Sequence, residues 1–122
     1  MSWPATRCGR TVLRSQFLKV FQRAEVLVTP TVAVTAFAAG TLGVDEIENR
    51  PVDPHLGWSP FSWPINLAGL PAATVPCGFD GDGMPIGFQI IAPWLDEGII
   101  FRIAAAFEQA RPWASHWPSF AR

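Results

Sequence analysis

Apolar residues recur every three to five positions in the segment 10–23, and polar or charged residues lie between them. This spacing is typical of an amphipathic helix, so we predict a helix here. The helix runs into a short apolar run at 26–28, which ends at Pro30. A continuous apolar run of that length predicts a buried strand. A helix followed by a strand indicates an α/β arrangement.

The segment 30–64 shows no sustained period of apolar residues. Small residues come first, an acidic patch follows, and the segment then carries prolines at positions 51, 54, 60 and 64. A connection of this length is uncommon in a compact domain and usually forms a functional lid or a binding loop. We therefore expect a long loop, followed at 65–69 by one helical turn that the sequence Gly-Leu-Pro closes.

Two apolar runs, AATVPCGF at 72–79 and PIGFQII at 85–91, are joined through the turn-forming sequence Asp-Gly-Asp-Gly. This pattern predicts a β-hairpin whose strands are covered on both faces. Gly78 and Gly87 indicate a bulge or a close approach of the backbone. Beyond the hairpin, Asp96 is placed to cap a helix with two apolar stripes, at 99, 103, 106 and 110 and at 100, 104 and 107. That helix is expected to end before Pro112.

Composition excludes several classes of protein. The chain has 122 residues, of which 49% are hydrophobic, enough for one globular domain. Its formal charge of −1 provides no basic surface, so we expect no nucleic-acid partner and no membrane partner. Pro, Gly or charged residues interrupt the apolar runs before they could span a bilayer. The sequence does not begin with a secretory leader, so a cytoplasmic location is expected.

No catalytic set or metal site is evident in the sequence. His55 and His116 are isolated, and the two cysteines lack ligand-like spacing, so we predict no metal and no cofactor. A glycine pattern at positions 78, 81 and 83 lies in the predicted hairpin turn and does not open a helix, so we assign it no phosphate-binding role. The serines are scattered, and the one lysine, Lys19, lies on the polar face of the first helix. We therefore predict no complete nucleophile and base arrangement.

Individual polar residues have simple structural interpretations. Ser59 and Ser62 flank Pro60 and Phe61 and are expected to cap turns, with contact to a ligand as the alternative. Cys77 follows an apolar run without a cationic neighbour, so we interpret it as an inert buried thiol. Asp80 and Asp82 are interpreted as turn formers, because a calcium loop needs more oxygen ligands at fixed spacing. His55 is interpreted as a solvated loop residue.

Three segments together resemble a known family: FQRAEVLVTPT, PFSWPINLAGLPAATVPCGF and DGMPIGFQIIAPWLDEGIIFRIAAAFEQARPW. In order and spacing they resemble the carboxy-terminal part of the amidase signature hydrolases, over roughly Arg10 to Trp117. The resemblance implies an α/β fold with a large mixed sheet between helices. The chain would supply a helix, a short strand, a long loop, a β-hairpin and a helix. Residues 1–122 are then expected to form a single partial domain.

The resemblance also implies amide-bond hydrolysis by a serine nucleophile, with a second serine in a cis peptide, a lysine base and an oxyanion loop rich in glycine and serine. None of these residues has a counterpart in this sequence, so no catalytic residue is assigned to the chain. We expect a fragment that does not catalyse alone and that is either a truncation or one piece of a split enzyme. The complete enzyme would act on a small-molecule amide.

In the family that this sequence resembles, the loop before Asn66 lies along the substrate cleft. Trp58, Phe61, Ser62 and Trp63 are therefore expected to line a substrate pocket, as aromatic rings with a few hydroxyls often do. The alternative is that the two tryptophans only cover the sheet. Asn66 is expected to make hydrogen bonds with the backbone in the turn that enters the next strand.

A second hypothesis is a non-catalytic interaction module, or one component of a split enzyme, that keeps the family's core. That component could be a relative of the glutamyl-tRNA amidotransferase's amidase component, although the aromatic stretch WSPFSWP resembles the general small-amide hydrolases more closely. Under either hypothesis, apolar strands would be left uncovered, which favours association. The expected partner is the amino-terminal part of the amidase fold or a second copy of the chain.

Overall fold

The computed structural model describes the backbone of residues 3–117, with side chains from residue 9 onward. Three helices and five strands occur in that range, and a short 3₁₀ turn, Ala114–His116, follows the last helix. The helices are α1 (Trp3–Phe21), α2 (Ser62–Ala68) and α3 (Glu97–Ala110). The strands are β1 (Leu27–Pro30), β2 (Glu46–Ile47), β3 (Arg50–Pro51), β4 (Ala72–Phe79) and β5 (Pro85–Ile91).

Strands β1, β5 and β4 form one antiparallel sheet, with β5 in the centre. The predicted hairpin is confirmed as β4 and β5, and the predicted short strand is confirmed as β1. Thr29 and Thr74 both lie opposite Gln89, one on each side of the central strand. The sheet therefore joins residues that are far apart in the sequence.

Helices cover both faces of the sheet, as the apolar character of its strands predicts. Helix α3 packs on one face, where the buried residues are Val75, Ile90, Ala92, Ile99 and Ile100. Helices α1 and α2 pack on the other, where the buried residues are Ile65, Ala68, Leu70 and Ile91. The cover does not reach the tip of the hairpin, where apolar side chains such as Phe79 and Ile86 are exposed.

The two glycines of the hairpin have the two roles expected of them. The register between β4 and β5 shifts between Pro76 and Gly78, which is a bulge. At Gly87, an added Cβ would lie 2.8 Å from Cγ2 of Thr74 and 3.0 Å from Oγ1 of Thr31. Only a residue without a side chain lets these two threonines approach each other across β5.

Helix α2 is longer than the single turn expected at 65–69, because it begins at Ser62. Its end agrees with the prediction: Gly69 has φ of 68° and ψ of 40°, the left-handed conformation typical of a helix stop. The N–H of Gly69 donates to the Asn66 carbonyl, and the N–H of Leu70 donates to the Ile65 carbonyl. This pair of hydrogen bonds is the Schellman motif, and Ile65 and Leu70 are buried in the same apolar cluster.

The expectation of an unstructured loop at 30–64 is wrong in its middle. Strands β2 and β3 form a small hairpin there, and the two residues between them, Glu48 and Asn49, have φ of 49° and 61°. Two consecutive residues with positive φ are the requirement of a type I′ turn. Each strand has only two residues, which is too short for a period to be detected in the sequence.

The two long helices differ from the prediction in detail. Helix α1 begins at Trp3 and ends at Phe21, whereas the periodic segment is 10–23. Asp96 occupies the cap position of α3, but its side chain makes no capping hydrogen bond. Ala106 and Ala110, placed on an apolar stripe, are exposed, and the packed positions are 99, 100, 103, 104 and 107. Over the described residues, no helix is both long and apolar enough to cross a bilayer.

Candidate functional site

The residues predicted to line a substrate pocket belong to one short stretch, residues 58–63, which we call the aromatic segment. Three hydrogen bonds hold it in place. The N–H of Ala33 donates to the Trp58 carbonyl at 2.9 Å, and the Ser62 hydroxyl donates to the Thr31 carbonyl at 3.1 Å. The third comes from Nε2 of Gln89, which donates to the Phe61 carbonyl at 3.2 Å. The segment is therefore fixed at three of its residues.

The two tryptophans of the aromatic segment have different surroundings. The ring of Trp58 meets Phe37 edge to face, with 5.4 Å between the ring centroids and 78° between the planes. It also lies against Gly43, where a Cβ would come within 2.7 Å of Cδ1 of Trp58. Trp58 is therefore packed against the long loop, while Trp63 has 50% of its surface exposed.

The indole N–H of Trp58 is buried and has no hydrogen-bond partner among the described residues. The arrangement brings Trp58, Phe61, Ser62 and Trp63 together on one segment beside the sheet. None of the five grooves measured on the described surface includes these four residues in its lining. Their role in a substrate pocket stays a prediction.

The hydroxyl of Ser62 does not cap a local turn, as the sequence had indicated. It bonds instead to Thr31, which is 31 residues away in sequence, and so joins α2 to the chain that follows β1. Ser59 is buried, and its carbonyl accepts a hydrogen bond from the N–H of Ser62. For Asn66, the turn that closes α2 uses its backbone carbonyl, while its side chain lies in an exposed residue.

Under the aromatic segment lies a set of polar side chains that the sequence analysis did not identify. Gln89 has only 7% of its surface exposed, and its Nε2 also donates to Oγ1 of Thr29 at 3.2 Å. Next to it, the hydroxyls of Thr31 and Thr74 are 3.2 Å apart, above Gly87. One signal in the sequence was available: Gln89 is the one polar residue in the apolar run PIGFQII. A buried polar residue of this kind must find hydrogen-bond partners.

Two aspartates stabilise loops through their carboxylates. A hydrogen bond from the Thr35 side chain, followed by one from the N–H of Met84, lowers the pKa of Asp80. Hydrogen bonds from the N–H groups of Leu56 and His55 lower the pKa of Asp53 in the same way. Asp80 is thus confirmed as a turn former. His55, in a pair with Asp53 at 4.0 Å, is exposed as expected.

Cys77 is only partly buried, so the expectation of a buried thiol is wrong. The bulge turns it toward a groove of about 270 Å³ that Phe79, Arg111 and Trp113 also line. Its Sγ lies 3.4 Å from the Ile86 carbonyl. The thiol is therefore a weak donor at the surface of the sheet.

No arrangement for amide hydrolysis occurs among the side chains from residue 9 to residue 117. Lys19 lies in the last turn of α1, and no hydrogen bond within that range joins it to a serine. The same residues contain no group of three or more His, Cys, Asp or Glu that could hold a metal ion. What the site presents is a fixed aromatic surface and a polar network beneath it.

Comparison with known proteins places this geometry in a family. Residues 2–101 match the family model described as Amidase. The amidase component of the glutamyl-tRNA(Gln) amidotransferase of Cyanothece sp. is 43% identical over 109 residues, which are 89% of this chain and 21% of that protein. The structure of a bacterial aryl acylamidase of the amidase signature family matches with a TM-score of 0.78 and 33% identity, over 88% of this chain and 22% of that one.

A third similar protein is 6-aminohexanoate cyclic dimer hydrolase, whose structure matches with a TM-score of 0.77 and 28% identity. The match covers 93% of this chain and 25% of that one. The chain thus spans about a fifth of the length of its curated relatives, 21% of the Cyanothece protein, and represents part of a larger fold. Because the family model matches 2–101 of the 122 residues and the fold agrees, the chain belongs to the amidase signature family.

Proposed function

We propose that the chain supplies the carboxy-terminal part of the core and one wall of the substrate cleft in an amide-bond hydrolase, and that it does not catalyse alone. The observation that carries this proposal is the unfinished sheet. In the described part of the chain, β1 and β4 each have one strand partner, so each has an open edge. Open edges beside exposed apolar side chains are surfaces that another part of a fold covers.

The edge of β1 is the best candidate for such cover. The N–H of Thr31 donates to the Gly87 carbonyl, so alternate residues of β5, including Gln89, direct their backbone groups toward β1. Thr29 lies opposite Gln89, and Val28 therefore directs its N–H and carbonyl away from the sheet. The side chain of Val28 is also 52% exposed. We infer that the amino-terminal part of an amidase fold pairs here, and that without it the chain associates with itself.

The aromatic segment is the proposed cleft wall, with Trp58, Phe61, Ser62 and Trp63 as its substrate-facing residues. The similarity to an aryl acylamidase makes amides with an aryl group the first substrates to test. Replacing Trp58 with Ala in the reconstituted enzyme is expected to reduce selectivity for aryl over short aliphatic amides. Unchanged selectivity would remove Trp58 from the cleft.

Hydrolysis assays on the chain alone and on its mixture with the amino-terminal part of a relative test the proposal directly. That relative would be cut before the segment that matches this chain. No turnover of an acylanilide is expected from either part, and turnover is expected from the mixture. Turnover by the 122-residue chain alone would refute the proposal.

A second candidate is the amidase component of a glutamyl-tRNA(Gln) amidotransferase, which the identity of 43% to the Cyanothece protein favours. The reconstituted protein distinguishes the two candidates. Conversion of glutamyl-tRNA(Gln) in the presence of an amide donor, without hydrolysis of acylanilides, would favour the amidotransferase. We also infer a cytoplasmic location, which the free thiol of Cys77 supports because oxidising compartments favour disulfides.

A further inference from the structure

Gln89 is a buried amide in the middle of the central strand. It is followed by Ile90 and Ile91, which are both completely buried, so the strand has little freedom to shift at this point. Burying an amide is unfavourable unless its donors find acceptors. Nε2 of Gln89 has two, Oγ1 of Thr29 and the carbonyl oxygen of Phe61, each at 3.2 Å. Both N–H groups of the side chain are therefore used.

The two acceptors belong to different parts of the fold. Thr29 lies directly opposite Gln89 on β1, so this hydrogen bond stays within the sheet. Phe61 lies 28 residues away in sequence, immediately before α2 and within the aromatic segment. The second hydrogen bond therefore connects the most rigid strand of the sheet to the segment proposed as the cleft wall.

The other hydrogen bonds of the aromatic segment do not reach the sheet directly. The Trp58 carbonyl and the Ser62 hydroxyl bond to Ala33 and Thr31, which follow β1 in the loop. Thr31 is in turn bonded to the sheet through the Gly87 carbonyl. A movement of the loop would move these two attachment points together, whereas the attachment to Gln89 would stay in place.

We propose that Gln89 is a positioning residue that fixes Phe61 and the adjoining Ser62 relative to the sheet and so sets the shape of the cleft on that side. The proposal rests on the proposed function, because the cleft role of the aromatic segment belongs to it. The substrates affected are amides with an aryl group, since a flat ring requires a wall at a fixed distance. Gln89 acts through Phe61 and does not itself contact substrate.

The substitution Gln89→Glu tests this selectively. It preserves the size of the side chain but replaces the donating amide with a carboxylate that only accepts. The hydroxyl of Thr29 can rotate and donate to that carboxylate, whereas the carbonyl of Phe61 cannot donate. The matched control is Thr29→Val, which removes the other acceptor and leaves the hydrogen bond from Gln89 to Phe61 intact.

Hydrogen exchange of the 122-residue chain reads out the position of the segment. In Gln89→Glu we expect the amides of Ala33 and Ser62 to exchange about ten-fold faster, the effect of one lost hydrogen bond, with those between β4 and β5 unchanged. Thr29→Val should leave the amides of Ala33 and Ser62 as they are. Equal protection of the segment in both variants, or an equal loss across the whole sheet, would overturn the proposal.

The pH dependence of Gln89→Glu gives a second, independent readout. Burial raises the pKa of a glutamate, so lowering the pH to about 5 protonates a carboxyl at this position. The acid O–H can then donate to the Phe61 carbonyl, and protection of Ala33 and Ser62 is expected to return toward the wild-type level. No recovery on acidification would contradict a role through this hydrogen bond.

Kinetics of the reconstituted enzyme separate this proposal from the proposed function. If both hold, the ratio of kcat/KM for aryl over short aliphatic amides falls in Gln89→Glu and not in Thr29→Val. If the segment loosens in hydrogen exchange and the ratio is unchanged, Gln89 positions a segment that is not the cleft wall, and the proposed function fails. If the segment does not loosen, the positioning role fails whatever the kinetics show.

Discussion

Ile90 and Ile91 are consecutive residues of the central strand, and both are completely buried although they point to opposite faces of the sheet. Ile90 belongs to the cluster under α3, and Ile91 belongs to the cluster under α1 and α2. Adjacent side chains on a strand alternate between faces, so each isoleucine packs in a core of its own. The hairpin is thus held from both sides at this end.

The separation of the two cores predicts additive effects. Ile90→Val and Ile91→Val each remove one buried methylene and should each lower the free energy of unfolding by about 1 kcal/mol. The double variant should lose the sum to within about 0.5 kcal/mol, because the two side chains share no packing partner. Urea unfolding at one protein concentration measures this, and a coupling larger than either single effect would contradict two separate cores.

Gly87 predicts an effect of overpacking. Gly87→Ala would place a methyl group 2.8 Å from Cγ2 of Thr74, and we expect a loss of about 1–3 kcal/mol in the free energy of unfolding. Gly78→Ala is the matched control, because no atom lies within 4 Å of the added methyl. Adding Thr74→Ser to Gly87→Ala removes the clashing methyl and should recover part of the loss. Equal effects at Gly78 and Gly87 would show that the close approach is not the cause.

The direction of the backbone at Val28 predicts which substitution blocks assembly. Proline at an edge is tolerated when its missing N–H faces away from the sheet. Val28→Pro should therefore keep most of the stability but weaken association with the amino-terminal part, whereas Thr29→Pro should destabilise the sheet itself. Light scattering and urea unfolding on both variants distinguish these effects. Undiminished association of Val28→Pro would mean that β1 is not the docking edge.

Asp80 predicts a pH dependence of stability. The hydrogen bonds from the Thr35 side chain and the N–H of Met84 hold the pKa of Asp80 below its usual 3.8 in the folded chain. This contribution is present at pH above the unfolded value and is lost as the pH falls through the lowered pKa. The stability difference between wild type and Asp80→Asn should accordingly shrink on acidification.

Asp82→Asn is the control for removing a carboxylate from the same turn, because Asp82 reaches Asp80 through its backbone N–H. The free energies of unfolding of the wild type and both variants, measured between about pH 7 and about pH 2, test the sign of the Asp80 effect. A difference between wild type and Asp80→Asn that grew toward low pH would contradict the hydrogen-bonding cause.

Elements with a clear period or a turn signal could be predicted from the sequence. The hairpin of β4 and β5 follows from two apolar runs around Asp-Gly-Asp-Gly, and the stop of α2 follows from Gly69. Strands β2 and β3 escaped prediction because two residues carry no period. Their type I′ turn depends on the backbone of Glu48 and Asn49, and of these only Asn49 is a residue that favours positive φ.

The site was predictable only in part. The aromatic segment was found because its rings and hydroxyls are close in sequence, but its attachment was not, since Thr31, Gln89 and Phe61 come together only through the sheet. Hydroxyl groups have both local and distant partners available, and sequence favours the local one. The hydroxyl of Ser62 illustrates this, because it bonds to Thr31 and not to its own turn.

The most direct test of the central claim is size-exclusion chromatography with light scattering, applied to the chain alone and mixed with the amino-terminal part of a relative cut before the matching segment. If the chain is part of an amidase core, it should self-associate alone and form a one-to-one complex in the mixture. Near-ultraviolet circular dichroism should then show the tryptophans becoming more ordered on mixing. A compact monomer with fully ordered tryptophans that ignores the amino-terminal part would contradict this claim.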